Sequence, residues 1–427
     1  MKCICDKAPS RPLSELKLAI TAAALLACGA AWSQSPADNS PSFSIKGFGT
    51  VGLTHATVKQ ADVLPNGLVE HGAGYTDDWS YKVDTRFGVQ LDARLNNEIS
   101  GLLQVTSEQR YDGSFRPEVE WASIKYQPTS AFSVQAGRLV LSSFLVSDHR
   151  LVGYANHWVR PPMEVYNLIP ITNIDGVSAR YRARFGDTSN TTQLSFGDFK
   201  RKGPDGIVLR TSNGWNITNT TEFGSLTFNA SYQQGRLNVE YPEMARLFAG
   251  YRNAAFVPFI GNAGQALADK YDPSNRKVTF AGVGASYDPG NWFVMGEWGH
   301  LNMRSILGER KGWYVSSGYR TGSLTPYAIY SQSRTLTATR DSSVPSLSPQ
   351  LAELNAGLNT FLATLSSAQK SAAVGVRWDF TKKAAFKAQF DHVRPAAGSY
   401  GELRNIQTGY PTGQSYNMFS VTLDFLF

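Results

Sequence analysis

The chain has 427 residues, a formal charge of +7 from 41 basic and 34 acidic residues, and only 18% charged against 12% aromatic residues. The small basic surplus is spread along the chain, which excludes the clustered charge of a nucleic-acid binder, and a mean hydropathy of −0.26 excludes a helical membrane bundle. The three cysteines, Cys3, Cys5 and Cys28, all lie near the start; without that start, a disulfide scaffold, a Cys-ligated metal and a thiol nucleophile are excluded.

Residues 1–33 read as a secretory signal. Lys2, Lys7, Arg11 and Lys17 flank or precede the apolar run Leu18–Ala31, and small residues stand at Ala31 and Ser33. The run is too short to cross about 30 Å of hydrocarbon as a helix. Cleavage is expected after Ser33; a lipoprotein cleavage before Cys28 is the weaker alternative, because Leu26 fits it poorly. Removal takes four basic and two acidic residues and leaves +5 over 394 residues. Residues 34–42 are a polar, proline-containing lead-in, and 43–427 form one domain.

That domain alternates with period two. In the second strand Val83, Phe87, Val89, Leu91, Ala93 and Leu95 share one face, and Asp84, Arg86, Gln90, Asp92 and Arg94 the other. At the end of the chain Phe419, Val421, Leu423, Phe425 and Phe427 oppose Ser420, Thr422 and Asp424. Such alternation marks strands with one greasy and one wet face. Sixteen strands are expected, near 43–58, 81–95, 98–109, 117–127, 131–138, 173–184, 191–199, 212–222, 226–237, 276–287, 291–302, 311–320, 324–334, 371–380, 384–394 and 416–427.

Short turns follow the even strands, among them Asn96-Asn97, Phe223-Gly224-Ser225, Asp288-Pro289-Gly290 and Thr321-Gly322-Ser323. Mostly longer loops follow the odd strands. Tight turns then gather at one end and long loops at the other, as in an outer-membrane barrel and unlike a soluble sandwich. Spanning strands need about 9–11 residues, and an open edge in hydrocarbon is forbidden. The fold class is therefore an all-β transmembrane antiparallel β-barrel of 16 strands, and barrels of that size enclose water. Aromatics near strand ends, Tyr126 and Phe132, Trp378 and Phe380, Phe425 and Phe427, fit interfacial girdles.

Four stretches resemble Gram-negative outer-membrane porins. Tyr416–Phe427 alternates and ends in Phe, as does the signal that barrel-assembly machinery reads in that family. Ile45–Gly52 resembles the first porin strand, and Glu120–Tyr126 followed by Phe132–Arg138 the fourth and fifth. Gly137–Leu139, Ser147-Asp148, Gly153-Tyr154, Trp158–Pro162 and Glu164–Tyr166 resemble a porin-like group with a long loop after the fifth strand. The resemblance implies a water-filled diffusion channel for small hydrophilic solutes in the outer membrane. It also implies lipid and lipopolysaccharide around the barrel, assembly machinery that reads Phe427, and a homotrimer. Gly47, Gly49, Ala384 and Ala388 offer a small outward patch for trimer contact.

By the same resemblance, residues 139–172 are the constriction loop. Asp148, Arg150, Arg160 and Glu164 are its candidate charges, and Pro161-Pro162 should exclude helix there. On the wall, parity and depth select Arg86, Gln90, Lys125, Arg180 and Arg182, with Arg138 where the loop begins. Guanidinium groups at a narrow point attract anions, so Arg86, Arg138 and Arg180 are expected to confer a weak anion preference. The plainer alternative pairs them with Asp84, Asp92 and Glu120.

Two loops carry helical patterns. Ser348-Pro349 starts one, with Leu351, Leu354, Leu358, Phe361, Leu362 and Leu365 on a stripe, and Glu243–Tyr251 is the other. They form a lid over the mouth, or pack against each other and the inner wall. No hydrolase, nucleotide-binding or metalloprotease motif is present, and the six histidines are scattered. No enzyme, metal, cofactor or nucleic-acid partner is predicted. A structural or adhesive barrel with a closed lumen, and an outer-membrane hydrolase, are the other readings.

Overall fold

The computed structural model describes residues 41–253 and 262–427. The signal segment and nearly all of the lead-in fall outside them. Sixteen strands close an antiparallel barrel: β1 (Ser42–Ala56), β2 (Arg86–Arg94), β3 (Ile99–Glu108), β4 (Glu118–Tyr126), β5 (Phe132–Val140), β6 (Asn173–Phe185), β7 (Thr188–Asp198) and β8 (Val208–Phe223). The second half is β9 (Leu226–Glu240), β10 (Arg276–Tyr287), β11 (Trp292–Met303), β12 (Glu309–Tyr319), β13 (Leu324–Thr335), β14 (Gln369–Thr381), β15 (Ala384–Pro395) and β16 (Tyr416–Leu426). Every strand pairs with its sequence neighbours, and β1 closes on β16 from Phe48↔Leu426 to Ala56↔Met418.

The closing seam explains two glycines. Gly47 and Phe427 exchange backbone hydrogen bonds at 2.8 and 3.0 Å. A Cβ on Gly47 or Gly49 would fall on the ring of Phe427 or Phe425. The outward hollow expected to meet a neighbouring subunit is thus filled by the chain's own terminal rings.

The short turns are built from local chemistry. Gly186, Gly224, Gly290 and Gly322 adopt φ between +55° and +109°, with open space around each; a side chain there would be strained. Outward aromatics cluster beside these turns, with Phe185 70%, Phe223 58% and Tyr319 58% exposed. They form the girdle expected at the periplasmic interface.

Boundaries moved where loops intrude. β2 begins at Arg86, because Val83 is buried in a cluster at the mouth with Leu403 and Tyr416, and Asp84 turns inward to meet Arg160. β7 starts at Thr188, so the preceding turn has two residues. Among the described residues four α-helices lie in the long loops: α1 (Met163–Tyr166), α2 (Pro242–Asn253), α3 (Ala263–Tyr271) and α4 (Pro349–Leu365). The Ser348 hydroxyl caps α4 by accepting from the Leu351 amide at 3.3 Å. Pro161-Pro162 does not exclude helix: Pro162 precedes α1, where its missing N–H costs nothing. α2, α3 and α4 pack their apolar stripes on one another through Met244, Phe248, Leu267, Leu351 and Leu358.

Candidate functional site

The segment after β5 turns into the barrel. The Ser142 carbonyl accepts from Asn216 and Thr218 of β8 at 3.3 and 2.9 Å, and the Ser143 carbonyl from Ser231 of β9 at 2.8 Å. The Leu145 amide donates to Glu297 of β11 at 2.8 Å, and the Trp158 indole to Ser316 of β12 at 2.7 Å. Lys387 of β15 donates to the carbonyls of Gly153 and Trp158 at 2.7 and 2.9 Å. The Tyr154 hydroxyl reaches the Lys382 carbonyl, in the short turn after β14, at 3.0 Å. The segment therefore descends the length of the lumen on this side.

What drives it there is burial of apolar surface. Phe144, Val146, Trp158, Val165, Tyr166 and Leu168 meet inward side chains of β10–β14, including Phe280, Phe293, Met295, Tyr327 and Ile329, in one core. Within this core Glu297 accepts from the hydroxyls of Tyr166 and Tyr314 and from the Leu145 amide, so it is buried with partners. His157 stacks on Phe293 with ring centres 3.8 Å apart. Burial, with the charges of Arg320 and Arg377, holds its imidazole down to about 4.

Two charges expected to line the pore are pegs instead. Arg160 is 7% exposed and donates to both Asp84 oxygens, at 2.9 and 2.6 Å, to Thr54 at 3.0 Å and to Ser420 at 2.6 Å. Burial works against its charge, but the Asp84 carboxylate more than offsets that and raises its pKa. Glu164 on α1 is 3% exposed and accepts from Ser331 at 2.8 Å, Gln369 at 2.6 Å and Ser371. Neither side chain is free to meet a passing ion. Gly153 packs against the wall so closely that a Cβ there would fall on Asp424 and Thr50.

The other side of the lumen stays polar and open. Arg180 and Arg182 on β6 are exposed to the lumen; Arg180 donates to Gln193 at 3.1 and 2.7 Å and Arg182 to Thr191 at 3.3 Å. Gln90 accepts from Gln104 at 2.9 Å, and Lys125 donates to Gln127 at 3.0 Å. Facing them, Asp148 is exposed on the inserted segment and bonded to His149 at 2.8 Å. That bond, helped by the charge of Arg180, holds its carboxyl below the usual range. Arg150 bonds the carbonyls of Ile169 and Tyr166 at 3.1 and 3.2 Å, and burial pushes it down to about 10. Above lies a charged cavity of about 500 Å³ bordered by Arg86, Arg110, Arg150, Lys200 and Arg201 against Glu108, Glu118 and Glu120.

Arg138 requires a correction. It pairs in register with Asp175 while the buried Leu139 pairs with Ile174, so Arg138 points outward and holds Asp175 at 2.7 and 2.8 Å. The parity of Phe132 and Val134 on the same strand already carried that information. Reading the sequence also missed Glu297, Arg377 and Lys387. Arg377 donates to the carbonyls of Tyr154 and Asn156 at 2.7 and 2.9 Å, and Lys387 is fully buried against Asp424 at 2.9 Å. Their inward parity was visible; their partners on the inserted segment were not. Among the described residues no group of three or more His, Cys, Asp or Glu side chains is placed to hold a metal ion.

A family model described as Gram-negative porin matches residues 19–423. No curated protein matches the sequence. Among solved structures, the outer membrane channel DcaP of Acinetobacter baumannii superposes with a TM-score of 0.54 at 12% identity, over 92% of this chain and all of its own. An anion-selective porin from Comamonas acidovorans gives 0.52 at 12% identity, over 91% and 100%. OmpT of Vibrio cholerae in its trimer form gives 0.51 at 12%, over 91% and 100%. At these identities the likeness is one of fold.

Proposed function

Because the chain belongs to the Gram-negative porin family, we propose that this outer-membrane diffusion channel passes small hydrophilic solutes along one side of its lumen, with a weak preference for anions. The observation that carries the reading is the unequal fate of the charges. The acids Asp84, Glu164 and Glu297 and the bases Arg160, Arg377 and Lys387 are locked into buried contacts, whereas the charges left exposed on the wall, Arg180 and Arg182, are basic, with Arg86, Gln90 and Lys125 in the same half. Fixed positive charge beside a low-dielectric wall concentrates anions. Residues 139–172 act as the constriction, with the exposed Asp148 near Arg180. A fold neighbour named as an anion-selective porin supports the reading.

The same reading takes the barrel as a homotrimer, since one neighbour is described in trimer form. It surrounds the barrel with lipid and lipopolysaccharide and gives Phe427 to the assembly machinery. The packed core within the lumen favours one second reading, a barrel closed to solutes. Planar-bilayer recording separates the two. Stepwise conductance with a reversal potential on the anion side is expected in a KCl gradient. Cation selectivity would overturn the anion preference, and absence of steps from folded barrel would favour the closed lumen.

A further inference from the structure

We propose that a second, apolar cavity at the extracellular end of the lumen binds a small amphipathic organic anion, an alkyl or aryl carboxylate. Its tail lies among Leu237, Val278, Leu301 and Met303 and its head toward Arg310 and Arg404.

The cavity measures about 560 Å³ and lies between the inserted segment and β7–β12. That is within the range of about 300–1,000 Å³ typical of ligand pockets. Its lining reverses the alternation of a pore. Near the extracellular ends of four adjacent strands, apolar residues face inward and polar ones outward: Leu209 beside Arg210, Leu237 beside Arg236, Val278 beside Lys277, and Leu301 beside His300. A wall wetted by an aqueous pore has no use for that pattern. A wall whose outside meets headgroups and water, and whose inside meets an apolar guest, requires it. Met244 of α2 and Leu365 of α4 reach the cavity but leave it unfilled.

The polar end is built for an anion. Arg310, inward on β12, donates to the Leu307 carbonyl at 3.1 Å and the Ser367 hydroxyl at 3.3 Å. Arg404 donates to the carbonyls of Leu403, Gly401 and Thr364 at 2.8, 3.3 and 3.4 Å. Among the described residues neither has a carboxylate within ion-pair distance. Glu70, Asp205 and Glu402 also border the cavity; Glu402 accepts from Asn167 at 3.1 Å, and burial pushes its carboxyl pKa up. Two guanidinium groups bonded only to carbonyls and a hydroxyl leave donors that a guest carboxylate can match with a guanidinium fork. The cavity shares Leu68, Val69, Asn167, Pro170 and Ile171 with the charged cavity, so the two adjoin across these residues.

Binding is independent of the anion-pore reading, whereas delivery into the pore rests on it. The test is calorimetric titration of the full protein in amphipol with acetate, butyrate, hexanoate and octanoate. Affinity is expected to tighten about fourfold per added methylene until the cavity fills. Val278→Trp is expected to abolish that chain-length dependence while KCl conductance persists, and Arg310→Met to weaken every chain length by a common factor of about tenfold. If the tryptophan variant gives no channels, Leu237→Asn is expected to flatten the dependence instead. Octanoate binding no tighter than acetate, or an unchanged slope in the cavity variants, overturns the inference. A steep slope in a cation-selective channel keeps the cavity and overturns the pore reading alone.

Discussion

The inner faces of β2–β7 and of β10–β14 belong to one closed sheet but serve different solvents. On β2–β7 the inward positions include Arg86, Gln90, Lys125, Arg180 and Gln193, exposed or bonded to other polar groups. On β10–β14 they include Phe280, Phe293, Tyr314, Ile329 and Ala373, sealed against residues 144–168. A barrel of this size need not hold water across its whole section. One half can fold like a protein core while the other remains a conduit, and a single inserted segment makes the division.

The largest effect should come from cutting the segment loose. Arg160→Ala leaves Asp84 buried without its partner, a loss of about 3–5 kcal/mol for breaking a buried pair. A lower unfolding temperature and a larger, noisier single-channel conductance are expected. Unchanged conductance would mean that the pegs do not hold the segment. Trp158→Ala attacks the same half through packing, at about 3–5 kcal/mol, and should likewise raise conductance. A wild-type unfolding midpoint would contradict the core described above.

Acid should loosen the packed half more gently. His157 is held down to about 4, below its ordinary value of 6.5. With a depressed folded pKa, the neutral ring stabilises docking fully above pH 6.5. Below it the released segment takes up the proton that the docked one refuses, so that stabilisation is lost as pH falls toward 4. Channel noise should therefore rise between pH 6.5 and 4, and His157→Phe should remove that rise. The smallest structural effect belongs to the open half. Arg180→Glu, at an exposed site, should shift stability by no more than about 0.5 kcal/mol yet move the reversal potential toward cations. A measurable loss of stability with no change in selectivity would reverse the assignment of the two halves.

Most of the barrel was readable because strand parity and turn chemistry are local. The short turns at Gly224, Gly290 and Gly322, and the terminal alternation through Phe427, needed no distant partner. The pegs did. Arg160 and Asp84 lie 76 positions apart and Glu164 and Ser371 207 apart, so nothing near either residue distinguishes a buried clamp from a pore charge. The packed half left a signal that period-two reading passes over. Trp292-Phe293-Val294-Met295 and Tyr327-Ala328-Ile329-Tyr330 lose the alternation, as strands buried on both faces do. Glu297 sits within such a strand and is intelligible only with Tyr166 and Tyr314 beside it.

The division of the lumen can be tested directly, because the sequence has no cysteine after Cys28. Single cysteines at Gln90→Cys and Arg180→Cys on the open wall, and at Ile329→Cys and Ala373→Cys on the packed wall, can be exposed to a charged methanethiosulfonate reagent during planar-bilayer recording. A stepwise fall in current is expected at positions 90 and 180 and none at 329 and 373. Rapid modification with current block at 329 or 373, and silence at 90 and 180, would contradict it.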